Sequence, residues 1–489
     1  MSKRSNAKSR STGTRKNTST GVHAHILESL ERRALLDASL PFTAYYPEGF
    51  VHDGISEFVP ITNSGDTEVQ YELHARYETG ERDQLVAAGT IAPHSRGGVT
   101  LNTAGDPASR LVRPDAPYAL ELRASGPVGA TMSHYDFGTA IGESFTQETA
   151  LEWSFADGYK NPEGSRDFLV FYNPTDEDAV VATIIYSGDG TTIPLVSTIG
   201  AGRRGGWNLN NEAAIPHGSF SVQVVSSVPI VAAQSHYEIN SGRGFGLIGT
   251  PNGGSTAGVI PSITYDANNR GASDADPANA FVSFLNHHKD FNANVAVSFI
   301  PMNGGEAPPD AFLSIAPGAR GGVSVRDQNL PPGEYGVIYR SDLPVTATAS
   351  VYQGPDGTGM QAITTASERW EFGEGFMSPA RAGSTVTEDL FLFNPGSEAV
   401  EATVDFSFSD GKTLSVTRLL EPTTVHDVNI HDIPEIAQLG HDAFYGIRVT
   451  APEPIAASFE HWDDDLGGGF STPGTPTAAT TPMTTIPIA

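Results

Sequence analysis

Pro229-Ile230-Val231-Ala232-Ala233-Gln234-Ser235-His236-Tyr237 opens on a proline and reaches an aromatic eight residues later. The same offset returns at Pro127 to Tyr135, Pro344 to Tyr352 and Pro454 to Trp462, in steps of 102, 115 and 110 residues. A fixed period of this kind marks a repeat architecture rather than one large catalytic body. The period is the size of an independently folding domain, and 489 residues exceed what one core usually holds.

Other landmarks keep the same order in each repeat. An aromatic segment opens the second, Trp153 to Tyr159, and the fourth, Trp370 to Phe376; Tyr46 to Phe50 is a weaker version in the first, and the third keeps only traces around Tyr265. A strand then ends in Asn63, Asn173, Asn286 or Asn394, and a hairpin glycine follows at Gly80, Gly190, Gly304 or Gly411. Asp189-Gly190, Asn303-Gly304 and Asp410-Gly411 suit tight hairpins because both turn positions accept positive φ. Between Asn and hairpin, apolar residues alternate, as in Val180, Ala182, Ile184 and Tyr186, which is the period of a half-buried antiparallel strand. About seven strands per repeat is the number of an immunoglobulin-like sandwich.

The predicted fold is therefore all-β: four tandem immunoglobulin-like or fibronectin-III-like sandwiches at 41–150, 151–256, 257–366 and 367–471. A disordered basic leader, 1–40, precedes them. A Thr/Pro-rich flexible tail, 472–489, follows, with an uncharged end in which Thr484 to Ile488 could add as a strand to a neighbouring subunit's sheet edge.

Composition narrows the function. The net charge is −28, and residues 41–489 alone carry 21 basic and 54 acidic groups. Such a surface repels nucleic acid and anionic lipid and favours solubility and cation binding. Cysteine is absent, which removes disulfides and thiolate chemistry. No apolar run is long enough for a spanning helix.

In the leader, Ile26, Leu27, Leu30, Ala34, Leu35 and Ala38 recur at helical spacing. Leu30, Glu31, Arg33, Leu35, Leu36 and Ala38 resemble the LEPR-XLL leader of large exported proteins of planctomycete bacteria, with Arg32 where that family has proline. The resemblance implies export; an amphipathic capping helix is the alternative. The second and fourth repeats also resemble a bacterial extracellular repeat family of unknown function. They carry its aromatic segment with Asp157-Gly158 or Glu374-Gly375, its strand ending in Asn-Pro, and its closing Pro-Ile-Val-Ala or Pro-Ile-Ala-Ala strand. That likeness implies sandwich architecture and an exterior location.

Three features could carry chemistry. His134-Tyr135-Asp136, His236-Tyr237-Glu238 and His461-Trp462-Asp463 set an imidazole two residues from a carboxylate. The structural reading, an aromatic in the core with polar neighbours outward, is preferred because a catalytic site is rarely copied three times. Arg96-Gly97-Gly98, Arg204-Gly205-Gly206 and Arg320-Gly321-Gly322 could cradle a carboxylate or form a β-bulge, with the bulge preferred. Asp463, Asp464 and Asp465, and separately Asp274 and Asp276, place hard oxygen ligands for calcium on loops, without EF-hand spacing. Gly242 to Gly246 reads as linker.

No serine triad order, phosphate loop or zinc motif is present. The sequence thus reads as an exported, non-enzymatic cell-surface or extracellular structural protein, a spacer or self-assembling subunit. Its partners would be itself or other surface proteins, and no cofactor is required apart from possible calcium. The alternative is an adhesin or carbohydrate-binding protein using exposed aromatics. Buried Trp207 and Trp370 would favour the first reading, and an exposed aromatic strip the second.

Overall fold

The computed structural model describes residues 40–486, apart from 162, 266–269, 274–275, 278, 303–305, 354–355, 379–385, 464–465 and 485. The leader and its expected helix therefore lie outside the described residues. The described chain is almost all β, and its named strand pairs are antiparallel. Four large hydrophobic cores form, each drawn chiefly from one repeat.

The first repeat shows the plan most simply. Phe42–Tyr46, Tyr118–Ala124, Val69–Tyr77 and Gln84–Ile91 make one four-stranded sheet. Ser95–Asn102, Ser56–Asn63, Gly129–Asp136 and Thr139–Ser144 make the other. In the later repeats a single 21-residue strand serves both sheets: Gly218–Glu238, Gly333–Gln353 and Ala443–Asp463. Its first half pairs with one neighbour and its second half with another, and the landmark proline sits at the change. Proline has no N–H to give a ladder, so it fits where the strand passes between sheets. The strand expected to start at that proline instead runs through it.

The landmark asparagines are buried staples. Asn173 Nδ2 donates to the carbonyls of Glu177, Ile199 and Gly200, while its Oδ1 accepts the Thr175 N–H. Asn63 and Asn286 repeat all four bonds, and Asn394 repeats three. One amide thus caps a strand and ties down two loops, which explains the landmark in repeats that lack the following proline. Gly80, Gly190 and Gly411 take positive φ at their hairpins, as their spacing requires; Gly304 lies outside the described residues.

The four cores close on one another. The strands Thr139–Ser144, Arg243–Ile248, Asp356–Gln361 and Gly468–Pro473 meet at the centre, each packed against its counterpart in the repeats on either side. Gly142 lies under the Phe470 ring, Gly246 under Ile141 and Gly359 under Phe245, and a Cβ at any of the three would overlap the side chain above it. Each large residue thus fills the space left by the next repeat's glycine, and repeat four returns to repeat one. The segment expected to be a linker around Arg243 is therefore a central strand, and the row of domains is a ring.

The segment read as a flexible tail is also corrected. Thr475–Pro476 and Thr480–Pro482 pair with Thr365–Phe372 of the same chain. Met483 and Ile486 are buried in the fourth core, and Arg340 of the third repeat donates to the Ile486 carbonyl. Residues 475–482 thus complete a sheet of their own repeat, while 485, 487 and 488, within the segment expected to add to a neighbour's edge, lie outside the described residues. The expected boundaries after 150, 256 and 366 fall just inside the strands Ala150–Phe155, Ser255–Tyr265 and Thr365–Phe372.

A ring of this size has the compactness of one globule. Small-angle scattering from a chain starting at residue 40 should give a radius of gyration of about 22 Å. An open row of the same cores would roughly double that value, and such a result would refute closure.

Candidate functional site

The expected calcium residues do not form a described site. Asp464, Asp465 and Asp274 lie outside the described residues, and Asp276 falls in the short strand Asp276–Pro277. Asp463 is buried at the end of its strand and accepts the Leu466 N–H, which is a hairpin contact. No cluster of three or more potential metal ligands occurs among the described residues.

The histidines point inward, contrary to the expected outward neighbours. His134 Nδ1 lies 2.7 Å from Glu57, His236 Nδ1 3.1 Å from Asp167 and His461 Nδ1 2.8 Å from Glu388, each across a paired strand. Burial pushes these imidazoles down, but the facing carboxylate's hydrogen bond and charge prevail and hold them above the usual histidine value. Glu57 and Glu388 also accept a backbone N–H from the opening segment, at Phe50 and Phe376, and a hydroxyl from Tyr118 and Tyr445. These donors occupy the carboxylates structurally. In the third repeat Ala280 faces Val351 at the same register.

The Arg-Gly-Gly triplets are not bulges, because the register stays continuous through them. Gly98 and Gly206 sit against the carbonyls of Val59 and Leu169, where any Cβ would collide. The arginines reach into another repeat. Arg320 Nη2 lies 3.0 Å from Asp157 Oδ1, Arg204 Nη1 2.7 Å from Glu78 Oε1, and Arg96 Nη2 3.7 Å from Glu374 Oε1.

A serine from the closing strand binds the opening segment's acid at the same three seams: Ser350 to Asp157, Ser235 to Glu48 at 2.6 Å, and Ser133 to Glu374 at 2.9 Å. The acids belong to the acid-glycine pairs of the opening segments. Sequence reading singled out both the arginines and these pairs but not that they meet in neighbouring repeats.

Each of these three seams opens into a cleft. The first–second cleft holds about 380 Å³, the fourth–first about 500 Å³ and the second–third about 690 Å³. All fall within the range of small-ligand sites, about 300–1,000 Å³. Each is lined by the seam's arginine and acid and by an equivalent pair of aromatics: Phe168 and Tyr237, Phe58 and Tyr135, or Phe281 and Tyr352. Trp370 and Trp153 are buried, their indole N–H groups donating to the Ile455 and Ile230 carbonyls. Trp207 is half-buried and lines the first–second cleft. The two tryptophans chosen as discriminators thus divide between core and cleft.

At the ring centre, Glu143 is buried and accepts the Thr472 hydroxyl from the fourth repeat at 2.8 Å. Burial pushes its carboxyl up to about 8, against the hydrogen bonds from Thr472 and the backbone N–H groups of Ile248 and Ser144.

These features describe an all-β protein whose units share seams. The chain belongs to a family of unknown function, DUF5719, whose model matches residues 145–421. No curated protein matches it. It is similar to the crystal structure of Thermotoga maritima 1070, at 22% identity over 22% of this chain and 100% of that one, with a TM-score of 0.20. It is also similar to the Anabaena sensory rhodopsin transducer, at 32% identity over 17% of this chain and 80% of that one, TM-score 0.16. A third is a tetra-tandem repeat in the extending region of a large adhesion protein, at 9% identity over 87% and 94%, TM-score 0.11.

Two outcomes test the seams. Arg320→Gln leaves Asp157 without its cation and should cost about 1–3 kcal/mol in denaturant unfolding; an unchanged midpoint would mean the pair contributes nothing. Glu143 keeps its proton in the folded chain, whereas an unfolded carboxyl loses it near pH 4.5. Its contribution is therefore full below that pH and declines as pH rises toward 8. Glu143→Gln should match the parent's melting temperature at pH 4 and exceed it at pH 8.5, and equal melting at both would exclude a buried acid there.

Proposed function

We propose that this is an exported, non-enzymatic protein of the cell surface or extracellular space, built as four immunoglobulin-like sandwich domains and acting as a structural subunit. Its partners on this reading are further copies of itself or other surface proteins. The observation that carries the reading is ring closure. Seams fastened by buried polar contacts and a shared central packing make a rigid block whose outer sheet edges stay available for assembly. The strongly acidic body and the planctomycete-type leader motif support an exterior location. Calcium is a candidate bridge between blocks, through the acidic residues Asp463, Asp464 and Asp465 or Asp274 and Asp276.

A second reading is favoured by a specific observation: three equivalent clefts set aromatic rings beside polar side chains, surfaces that a saccharide's apolar face and hydroxyls can meet. Light scattering on the full chain, with millimolar calcium and with a chelator, separates the two. A mass many times 51.6 kDa that falls on chelation supports the assembling subunit. A monomer under both conditions removes self-assembly and leaves the binding protein.

A further inference from the structure

The outward face of one sheet in the second repeat is built unlike the same face in the other three. Val180, Ala182 and Ile184 are the second, fourth and sixth residues of the strand Ala179–Ser187, turned away from its core. Those places hold Gln70, Glu72 and His74 in the first repeat, Asn294, Ala296 and Ser298 in the third, and Glu401, Thr403 and Asp405 in the fourth. Ala182 is flanked in the sheet by Val196 and Val225. On the Val225 side its counterparts meet Arg123, Arg340 and Thr450. Val196 is 63% exposed, Val180 53% and Val225 41%, so the three valines around Ala182 form one open apolar patch. The third repeat exposes Phe312 beside Ala296, but with Arg340 on the other flank.

Charge and shape select what covers this face. Ala179–Ser187, Thr192–Ile199 and residues 218–229 carry no charged side chain, and Glu152, to which Gln223 donates, stands at the margin. Two chains of net charge −28 repel wherever their acids meet, so an uncharged face is where a second copy approaches at least cost. A basic partner would be drawn to the acidic faces instead. Pro194 in the edge strand has no N–H to offer an added strand, which disfavours pairing along the edge and leaves the face of the sheet. Gly318 of the third repeat lies beside the Tyr186 ring and closes one end of that face. Four strands about 4.8 Å apart, with about six open residues in each, offer about 400 Å² per copy. A pair would bury about 800 Å², the weak end of protein interfaces, so the contact depends on concentration.

We propose that two copies of this chain pack the second repeat's outer sheet face to face about a two-fold axis, burying Val180, Val196 and Val225 of each. The inference rests on the self-assembly reading above and assigns one contact surface to it. A self-complementary face closes at two copies, which leaves calcium-dependent contacts elsewhere to join the pairs. Val180→Glu and Ala182→Glu test it with residues that the fourth and first repeats carry at the same places, so each altered face copies one the fold already contains.

The experiment is sedimentation velocity of the full chain from about 1 to about 200 µM, with a chelator and again with millimolar calcium. In the chelator the parent should pass from monomer to dimer, and either carboxylate variant should weaken that dimer about tenfold or more, because like charges would then meet in a desolvated contact. Should both variants fail to fold, Val196→Thr with Val225→Thr, the pair that flanks Thr403 in the fourth repeat, provides the same comparison, again with about tenfold weakening. A dimer that the substitutions leave unchanged would overturn this face while leaving the assembling subunit in place. Association seen only with calcium would do the same. A monomer under both conditions would overturn the inference and the self-assembly reading together.

Discussion

The insertion of Ile141, Phe245 and Phe470 over the glycines of the adjacent repeats is the contact on which the rest of the ring depends. A bulky side chain can approach another backbone this closely only where the facing residue has no Cβ. The packing is directional: the first, second and fourth repeats each offer one large residue forward, and the second, third and first receive it. The third repeat offers Thr358 and the fourth receives at Ser471, so this junction uses smaller residues on both sides. Once the central strands are seated, the outer sheets are brought near enough for arginine, acid and serine to meet at the seams. The high glycine count thus serves interfaces as well as hairpins.

The β class, the fourfold repeat and the hairpins were legible because they are local. Alternation with period two, Asn at strand ends and glycine at fixed offsets all act within a few tens of residues. Closure was not legible, since the residues that meet across it, such as Thr472 and Glu143, lie hundreds of positions apart. The central strands carry no alternation strong enough to mark them, and Gly242 to Gly246 reads as a linker because it follows one closing strand and precedes the next repeat. The final segment misled in the same way: Thr and Pro suggested disorder, while Met483 and Ile486 were too sparse to announce a buried contact.

A trace of the site did exist in covariation between repeats. A carboxylate stands six residues before the strand-ending Asn at Glu57, Asp167 and Glu388, and each of those repeats has histidine before the closing aromatic. In the third repeat both positions change together, to Ala280 and Val351. Replacing a buried ion pair by apolar residues is often neutral or stabilising, whereas losing one partner leaves a costly buried charge. The chain thus shows the only inexpensive way to remove the pair, by changing both members.

The third–fourth junction follows the same rule on a larger scale. Its arginine position is Val425, its serine position is Glu460, and the third repeat has lost the clear acid-glycine pair of its opening segment. Had the acid alone gone, a largely buried arginine would have lost its partner; had the arginine alone gone, a carboxylate would have. Val425 instead packs on Gly336 of the third repeat. The acids gathered nearby hold protons more tightly than usual. Burial, then the charges of Asp427, Glu334 and Glu388, push Asp389 up to about 7, and burial with the charges of Glu334 and Asp432 pushes Asp427 to about 6. The C-terminal segment crosses to this side, where Thr256 and Arg340 of the third repeat bind the carbonyls of Thr484 and Ile486. Three seams are therefore fastened by charge and the fourth by apolar packing and the chain's own end. That asymmetry is expected of a ring made from one chain, because only at this junction do the last repeat and its trailing segment meet the repeat before it.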